Sequence, residues 1–113
     1  MIKVSVKNLH YKDLLALQTE LDIYNKYVAV KELQNDFLNT IITFDIVNSL
    51  HFFLRMKIEQ GKQEYTVSFS ISQAATILKC CNFNRSDREV YTKHVITKLS
   101  IDLDKQLKDL VWK

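Results

Sequence analysis

The chain has 113 residues, of which 47% are hydrophobic and 26% charged, with one glycine, no proline and two cysteines. This composition excludes collagen-like, low-complexity and disulfide-scaffold proteins, and it favours a folded domain over a disordered segment. Phosphate-binding loops and dinucleotide fingerprints need several neighbouring glycines, so those two classes of nucleotide site are disfavoured. The net charge of +3 is too small to indicate nucleic-acid binding by itself.

The length predicts a single domain over residues 1–113. The first residues lack the apolar run and cleavage site of a signal peptide, and polar residues interrupt every long apolar stretch. Adjacent cysteines at Cys80 and Cys81 fit a reducing compartment. We therefore expect a cytoplasmic protein, located in the host cytoplasm if the gene is viral. We expect no membrane among its binding partners.

The first half of the chain predicts one strand followed by helix. Residues 2–7 alternate between apolar and polar side chains, which is typical of a half-buried strand. Apolar residues three and four apart then predict helices over about 11–24 and 29–48, with a break near 25–28. No proline or glycine enforces that break, so one long helix over 11–48 is the alternative.

The second half predicts a β-hairpin followed by two helices. Residues 51–59 and 64–71 both alternate, and Gly61 lies in the short connection where a positive φ is wanted. Ser72 is a candidate cap for a helix over 73–81, and the capping box Ser86-Asp87-Arg88-Glu89 predicts the start of a final helix. The predicted order is β-α-α-β-β-α-α, an α+β fold whose three-stranded antiparallel sheet has helices packed on one face.

The polar face of that sheet is a candidate nucleic-acid or partner surface. Cations around an aromatic ring can neutralise phosphates while the ring stacks on a base, although a solvated sheet face accounts for the same residues. The residues of this candidate face are Lys3, Lys7, His51, Phe53, Arg55 and Lys57.

A second group of cations lies around the start of the last helix and forms a candidate anion site. Its members are Arg85, Arg88 and Lys93, and a helix N-terminus adds partial positive charge there. Asp87 and Glu89 lie in the same turn, so ordinary capping is the competing interpretation. The histidines and cysteines show no metal-ligand spacing, and we predict no catalytic, cofactor-binding or metal-binding residues.

Two features favour self-association or a protein partner. The candidate oligomer contact is the end of the last helix, with Leu107, Leu110, Val111 and Trp112, because a tryptophan close to a terminus needs something to cover it. Residues 37–53 include ten apolar residues out of seventeen, more than one face of a helix requires. A homodimer is therefore expected.

Together these features predict a small, non-enzymatic binding protein that acts through protein–protein contacts. A nucleic-acid-binding module that uses Lys3, Lys7, Arg55 and Lys57 is the alternative. Richness in Lys, Ile, Asn and Leu is typical of short phage and mobile-element proteins, so a regulator that binds a larger host machine fits the composition. No cofactor or small-molecule substrate is predicted.

Overall fold

The computed structural model describes residues 2–83 and 86–112, and of residues 28–30 it describes the backbone alone. This part of the chain is a mixed α+β structure, 72% helical, with four long helices and a two-stranded antiparallel sheet. The elements are β1 (Lys3–His10), α1 (Tyr11–Tyr24), a π-helical segment (Asn25–Ala29), α2 (Val30–Glu32), α3 (Phe37–Glu59), β2 (Glu64–Ser70), α4 (Ile71–Asn82) and α5 (Val90–Val111).

The sheet is formed by β1 and β2, which are far apart in the sequence. The strands are antiparallel, and Val4 lies opposite Phe69 in the ladder. Side chains of both strands alternate between a buried face and a polar face, as the pleat requires. An irregularity between Val6 and Leu9 accompanies a φ of 60° at Asn8, a conformation that asparagine tolerates better than most residues.

The predicted three-stranded sheet is not formed, because residues 51–59 are the C-terminal part of α3. The alternation in this segment coexists with a helical period. Val47, Leu50 and Leu54 are three and four residues apart, and all three are buried. No proline or glycine interrupts residues 37–59, so the helix that begins at Phe37 continues and buries Leu54 in its own stripe.

The boundary between the first two long helices lies later than predicted. The chain stays helical through 25–29, where it widens to a π-helix, and on to Glu32. A turn then leads to α3, which Asp36 begins by accepting a hydrogen bond from the Asn39 N–H at 3.2 Å. A side-chain cap thus fixes the start of α3 where no proline or glycine is present.

The two later helices also begin at other residues than predicted. Ser70, and not Ser72, caps α4, since its Oγ accepts from the Gln73 N–H at 3.1 Å. The Gln73 Oε1 in turn accepts from the Ser70 N–H at 2.9 Å, which completes a capping box. α5 begins at Val90, and Glu89 at its N-cap makes no side-chain capping bond.

The core lies between the buried face of the sheet and the long helices. Helix α5 lies along β1: the Gln106 Nε2 donates to the Ser5 carbonyl at 2.8 Å, and the Lys98 Nζ donates to the Asn8 carbonyl at 3.4 Å. These bonds satisfy backbone groups on the outer edge of β1. The largest fully buried side chains are Phe69, Leu9, Leu14, Leu17, Leu21, Leu50, Leu54, Ile77, Leu99, Leu103, Val4 and Val67.

Gly61 takes the positive φ predicted for it, although it joins a helix to a strand. Its φ is 70°, and its N–H donates to the Ile58 carbonyl at 3.1 Å. This is the left-handed residue that commonly ends a helix. Open space surrounds the position where a Cβ would lie, so the backbone conformation alone favours glycine there.

We expect Gly61→Ala to lower the free energy of unfolding by about 1 kcal/mol, because an L residue is strained in the left-handed region. Urea denaturation at pH 7 measures the change. The matched control is Gln60→Ala, at a neighbouring residue with an ordinary φ of −68°, and it should change the free energy by less than about 0.5 kcal/mol. Equal losses in the two variants would contradict the strain argument.

Candidate protein-interaction surface

Helix α3 presents a second apolar side, opposite the one that packs in the core. Leu38 is 73% exposed and Phe52 is 67% exposed. Single exposed apolar residues are common on proteins, whereas a continuous stripe of them marks an interaction surface. We term this side the outer face of α3 and define it by the exposed residues Leu38, Ile41, Ile42, Asp45, Asn48, Ser49, Phe52 and Met56.

The residues of this face follow the spacing of a helix-packing seam. The seam consists of positions 38, 42, 45, 49, 52 and 56. Their successive spacings are four, three, four, three and four residues. Such alternation keeps side chains on one line of the helix and is the pattern by which two helices pack together. At about 1.5 Å per residue the seam is about 27 Å long.

The seam changes character along its length. Its two ends are apolar, whereas Asp45 and Ser49 occupy its middle, with Asn48 beside them. Among the described residues, α3 is the one helix that is long and apolar enough, by length and composition, to cross a membrane. Its two sides nevertheless differ, because one packs in the core and the other carries these three polar residues at its midpoint.

The predicted basic sheet face is divided between two elements. Lys3 and Lys7 are exposed on β1, whereas His51, Arg55 and Lys57 lie on α3. These residues therefore do not share one face of a sheet, as the interpretation of residues 51–59 as a strand had required.

Phe53, the aromatic residue of that predicted face, packs inward. Its ring meets Phe69 edge to face, with the centroids 6.0 Å apart, and the Lys57 Nζ lies 5.6 Å from the Phe53 centroid. The Arg55 Nε lies 3.3 Å from the Glu59 Oε1 one turn along the helix. The ring and two of the cations thus make contacts within the protein.

The predicted anion site is also altered by the structure. Arg85 lies outside the described residues, and Lys93 is exposed on α5. Arg88 forms a buried ion pair with Glu20, in which the two side chains are 8% and 3% exposed, respectively. The Arg88 Nη2 also donates to the Cys80 carbonyl at 3.3 Å. Arg88 therefore joins α1 and α4 to the residues that precede α5.

A second polar contact joins α1 to α5. The Tyr91 hydroxyl donates to the Asp13 Oδ1, and the Asp13 Oδ2 accepts from the His10 N–H at 2.9 Å. The hydrogen bond to Asp13 is the main reason that the pKa of Tyr91 is raised to about 12, so Tyr91 stays protonated at neutral pH. Open grooves of about 510 and 290 Å³ border Tyr91.

The two cysteines are buried in α4. Burial is the main cause that raises the pKa of Cys81 to about 12, while the nearby Arg88 guanidinium acts in the opposite direction. The thiol is therefore protonated at neutral pH. Within residues 2–83 and 86–112, no three His, Cys, Asp or Glu side chains are grouped so that they could hold a metal ion.

The candidate oligomer contact lies at the exposed end of α5. Leu107 is partly buried against the core, whereas Leu110 and Val111 are exposed and Trp112 is 80% exposed. This end is a second apolar surface, separate in sequence from α3. Its role in oligomer formation stays a prediction.

The sequence contained a signal for the outer face of α3, namely the excess of apolar residues over 37–53. The interpretation of 51–59 as a strand separated Phe52 and Met56 from the rest of the seam and concealed the regular spacing. Comparisons with protein-family models, curated proteins and solved structures gave no match. The surface is therefore interpreted from its own geometry.

The Glu20–Arg88 pair gives a test of the contact between α1 and the residues that precede α5. Glu20→Leu or Arg88→Met should lower the free energy of unfolding by about 3–5 kcal/mol, because each change breaks the buried ion pair between these two side chains. The double variant should recover most of this loss, since apolar residues can replace a whole buried pair. Urea denaturation of the four proteins completes the cycle, and strictly additive losses would contradict the coupling.

Thiol reactivity tests the state of Cys81. At pH 8 its reaction with Ellman's reagent should be slower by about 1,000-fold in the folded protein than in the urea-unfolded chain, because the pKa rises from 9.0 to about 12. The control is the Cys80→Ala variant, which isolates the signal of Cys81. Similar rates in the folded and unfolded protein would contradict the burial of this thiol.

Proposed function

We propose that this chain is a small, non-enzymatic binding protein that acts through protein–protein contacts made by the outer face of α3. One observation carries the proposal: large apolar side chains are exposed on a helix whose other side is already packed. Covering apolar surface is favourable by about 25 cal/mol per Å². A partner that covers this face therefore gains free energy that the core of the single chain does not use.

The helix is suited to this role because it is already formed. Its inner residues Val47, Leu50 and Leu54 are held in the core, so binding does not have to order the helix. An amphipathic helix that presents residues at three- and four-residue spacing is a recurrent mode of recognition between proteins. The apolar ends supply contact area, and the polar middle supplies hydrogen bonds.

The position of Asp45 favours a protein partner over a lipid one. A carboxylate at the centre of a membrane-spanning helix costs about 2.5–3.5 kcal/mol, and Asp45 lies close to the midpoint of α3. A protein surface can offer Asp45 a hydrogen-bond donor, which hydrocarbon cannot. The polar residues at the middle of the seam thus support a protein as the occupant.

For the biological setting, we propose a phage or mobile-element accessory protein that regulates a larger host machine in the cytoplasm. The support is the composition of the chain, which is rich in Lys, Ile, Asn and Leu. The nucleic-acid alternative required Lys3, Lys7, Arg55 and Lys57 on a single sheet face. Two of these residues, Arg55 and Lys57, lie on α3, so they do not form that sheet face.

A comparison of variants in cells that express this protein tests the proposed surface. A tagged chain is chemically cross-linked in the cells, and the attached proteins are quantified for the wild type and for the double variant Ile42→Glu, Phe52→Glu. We expect the double variant to lose at least about 90% of the specific cross-linked protein, because both charges lie in the seam.

The matched control is Ile101→Glu, which places the same charge on an apolar α5 residue that is 67% exposed. It should retain the wild-type set of cross-linked proteins. Far-ultraviolet circular dichroism verifies that all variants are folded. Equal cross-linking by the double variant and the control would contradict a binding role for α3.

A further inference from the structure

We infer that the occupant of the outer face of α3 is a second copy of this chain, packed so that the two α3 helices run antiparallel. The inference rests on the proposed function of that face and names its partner. It is carried by the symmetry of the seam, by the chemistry of the residues that this symmetry brings together, and by the charge of Asp45.

The seam is symmetric about Val47. Its outermost residues, Leu38 and Met56, lie nine residues to either side of this centre, and Asp45 and Ser49 lie two residues to either side. The remaining pair, at positions 42 and 52, lies five residues to either side. A two-fold axis through the centre of the seam therefore places each seam position opposite its symmetric counterpart, which is the condition for a self-complementary interface.

The residues that this axis pairs are chemically matched. Leu38 packs against Met56 of the second copy, and Ile42 packs against Phe52 of the second copy. Because the axis repeats both contacts, apolar pairs occupy both ends of the interface. In the middle, the Ser49 hydroxyl can donate to the Asp45 carboxylate of the other chain, so the polar pair is matched as well.

The charge of Asp45 selects the antiparallel orientation. In a parallel pair of helices, Asp45 would lie directly opposite Asp45 of the second copy, and like charges at such a position are unfavourable. The antiparallel arrangement offsets the two carboxylates by four residues, or about 6 Å along the axis. It also brings the helix termini of opposite partial charge together.

Residues beside the seam are compatible with the same axis. Asn48 lies next to the centre and meets Asn48 of the second copy, where two amides can hydrogen-bond to each other. Ile41 lies opposite Arg55 of the second copy, whose aliphatic stem can cover an apolar side chain while its charge stays in water. The exposed polar residues that flank the seam thus have counterparts across it.

The size of the seam sets the affinity that we expect. A standard interface buries roughly 1,600 Å². A contact between two helices along a seam of about 27 Å is a small interface in comparison. The helix is preformed, so little ordering cost opposes association. We therefore expect weak, reversible association, with a dissociation constant of about 10–100 µM.

Sedimentation equilibrium of the purified full chain from about 5 to about 500 µM, a hundredfold range that includes the expected constant, tests the inference. The expected result is a reversible change from the 13.3 kDa monomer to a dimer. Ile42→Glu and Phe52→Glu should each weaken the dimer by at least about 30-fold, whereas Ile101→Glu should leave it unchanged. Asp45→Asn should tighten it by about three- to tenfold, because it removes a repulsion and keeps an acceptor.

Cysteine cross-linking tests the orientation. Under mild oxidation Asn48→Cys should form a disulfide-linked dimer, because this residue lies beside the two-fold axis. Arg55→Cys alone should not, since its copies are about 24 Å apart along the axis, but it should link to Ile41→Cys in a mixture of the two variants. The buried Cys80 and Cys81 are the internal control, since they stay unlinked in the wild type.

The outcomes separate this inference from the proposed function. A monomer at every concentration overturns the second copy as partner, yet the proposed function stands if the α3 double variant loses a different cross-linked protein in cells. A dimer that Trp112→Ser abolishes and Ile42→Glu leaves intact overturns the inference in favour of the end of α5. Cross-linking of Arg55→Cys as readily as Asn48→Cys overturns the antiparallel orientation.

Discussion

Helix α3 has apolar residues on two opposite sides, and the core can cover one of them. The inner side is fixed by Leu50 and Leu54, which are buried in the core, and by two buried threonines near its start. The Thr40 Oγ1 donates to the Asp36 carbonyl at 2.8 Å, and the Thr43 Oγ1 donates to the Asn39 carbonyl at 3.1 Å. These bonds satisfy the hydroxyls within the helix. The inner side chains are therefore buried and their hydroxyls are hydrogen-bonded. Because this packing fixes the rotation of α3, it also fixes which residues of α3 face outward.

The contacts between α1 and α5 show why charged residues in a sequence are poor guides to a site. Arg88 was a candidate anion ligand, but in the structure its guanidinium is buried against Glu20. Asp13 similarly accepts the Tyr91 hydroxyl and the His10 N–H together. Buried polar contacts of this kind specify how two helices meet, because a shifted helix would leave a donor or an acceptor without a partner. Their chemistry serves the fold.

The parts of the fold that follow from local periodicity were predicted from the sequence. The helix expected at about 11–24 is α1, and the strand expected at 64–71 is β2 at 64–70. Residues 51–59 were assigned to a strand because they satisfy both periods, with period-2 alternation and a buried Leu54 that extends a helical stripe. Tertiary packing decides between the two periods, as in the contact of the Phe53 ring with Phe69. The local pattern of residues 51–59 does not contain that contact.

For the candidate site, the sequence predicted that a partner is present but not which residues face it. The excess of apolar residues over 37–53 indicated a partner. This excess can be counted from the sequence alone, because it does not depend on which side of the helix is buried. The outer face itself depends on which side of α3 enters the core, and that depends on tertiary packing. Residues 51–57 were predicted to lie on a sheet face, but they are part of α3. Several of them make contacts within the protein. Tertiary packing again accounts for the difference.

Asp45 and Ser49 give the outer face a selectivity that an apolar stripe would lack. A helix side made of Leu, Ile, Phe and Met alone packs on any apolar surface, in either direction and in several registers. A carboxylate in the middle of such a side makes most of these arrangements unfavourable, because it requires a donor at one defined position. Polar residues in helix-packing seams commonly reduce stability and select register and orientation. In the proposed interface, the affinity that Asp45 removes is therefore the source of specificity.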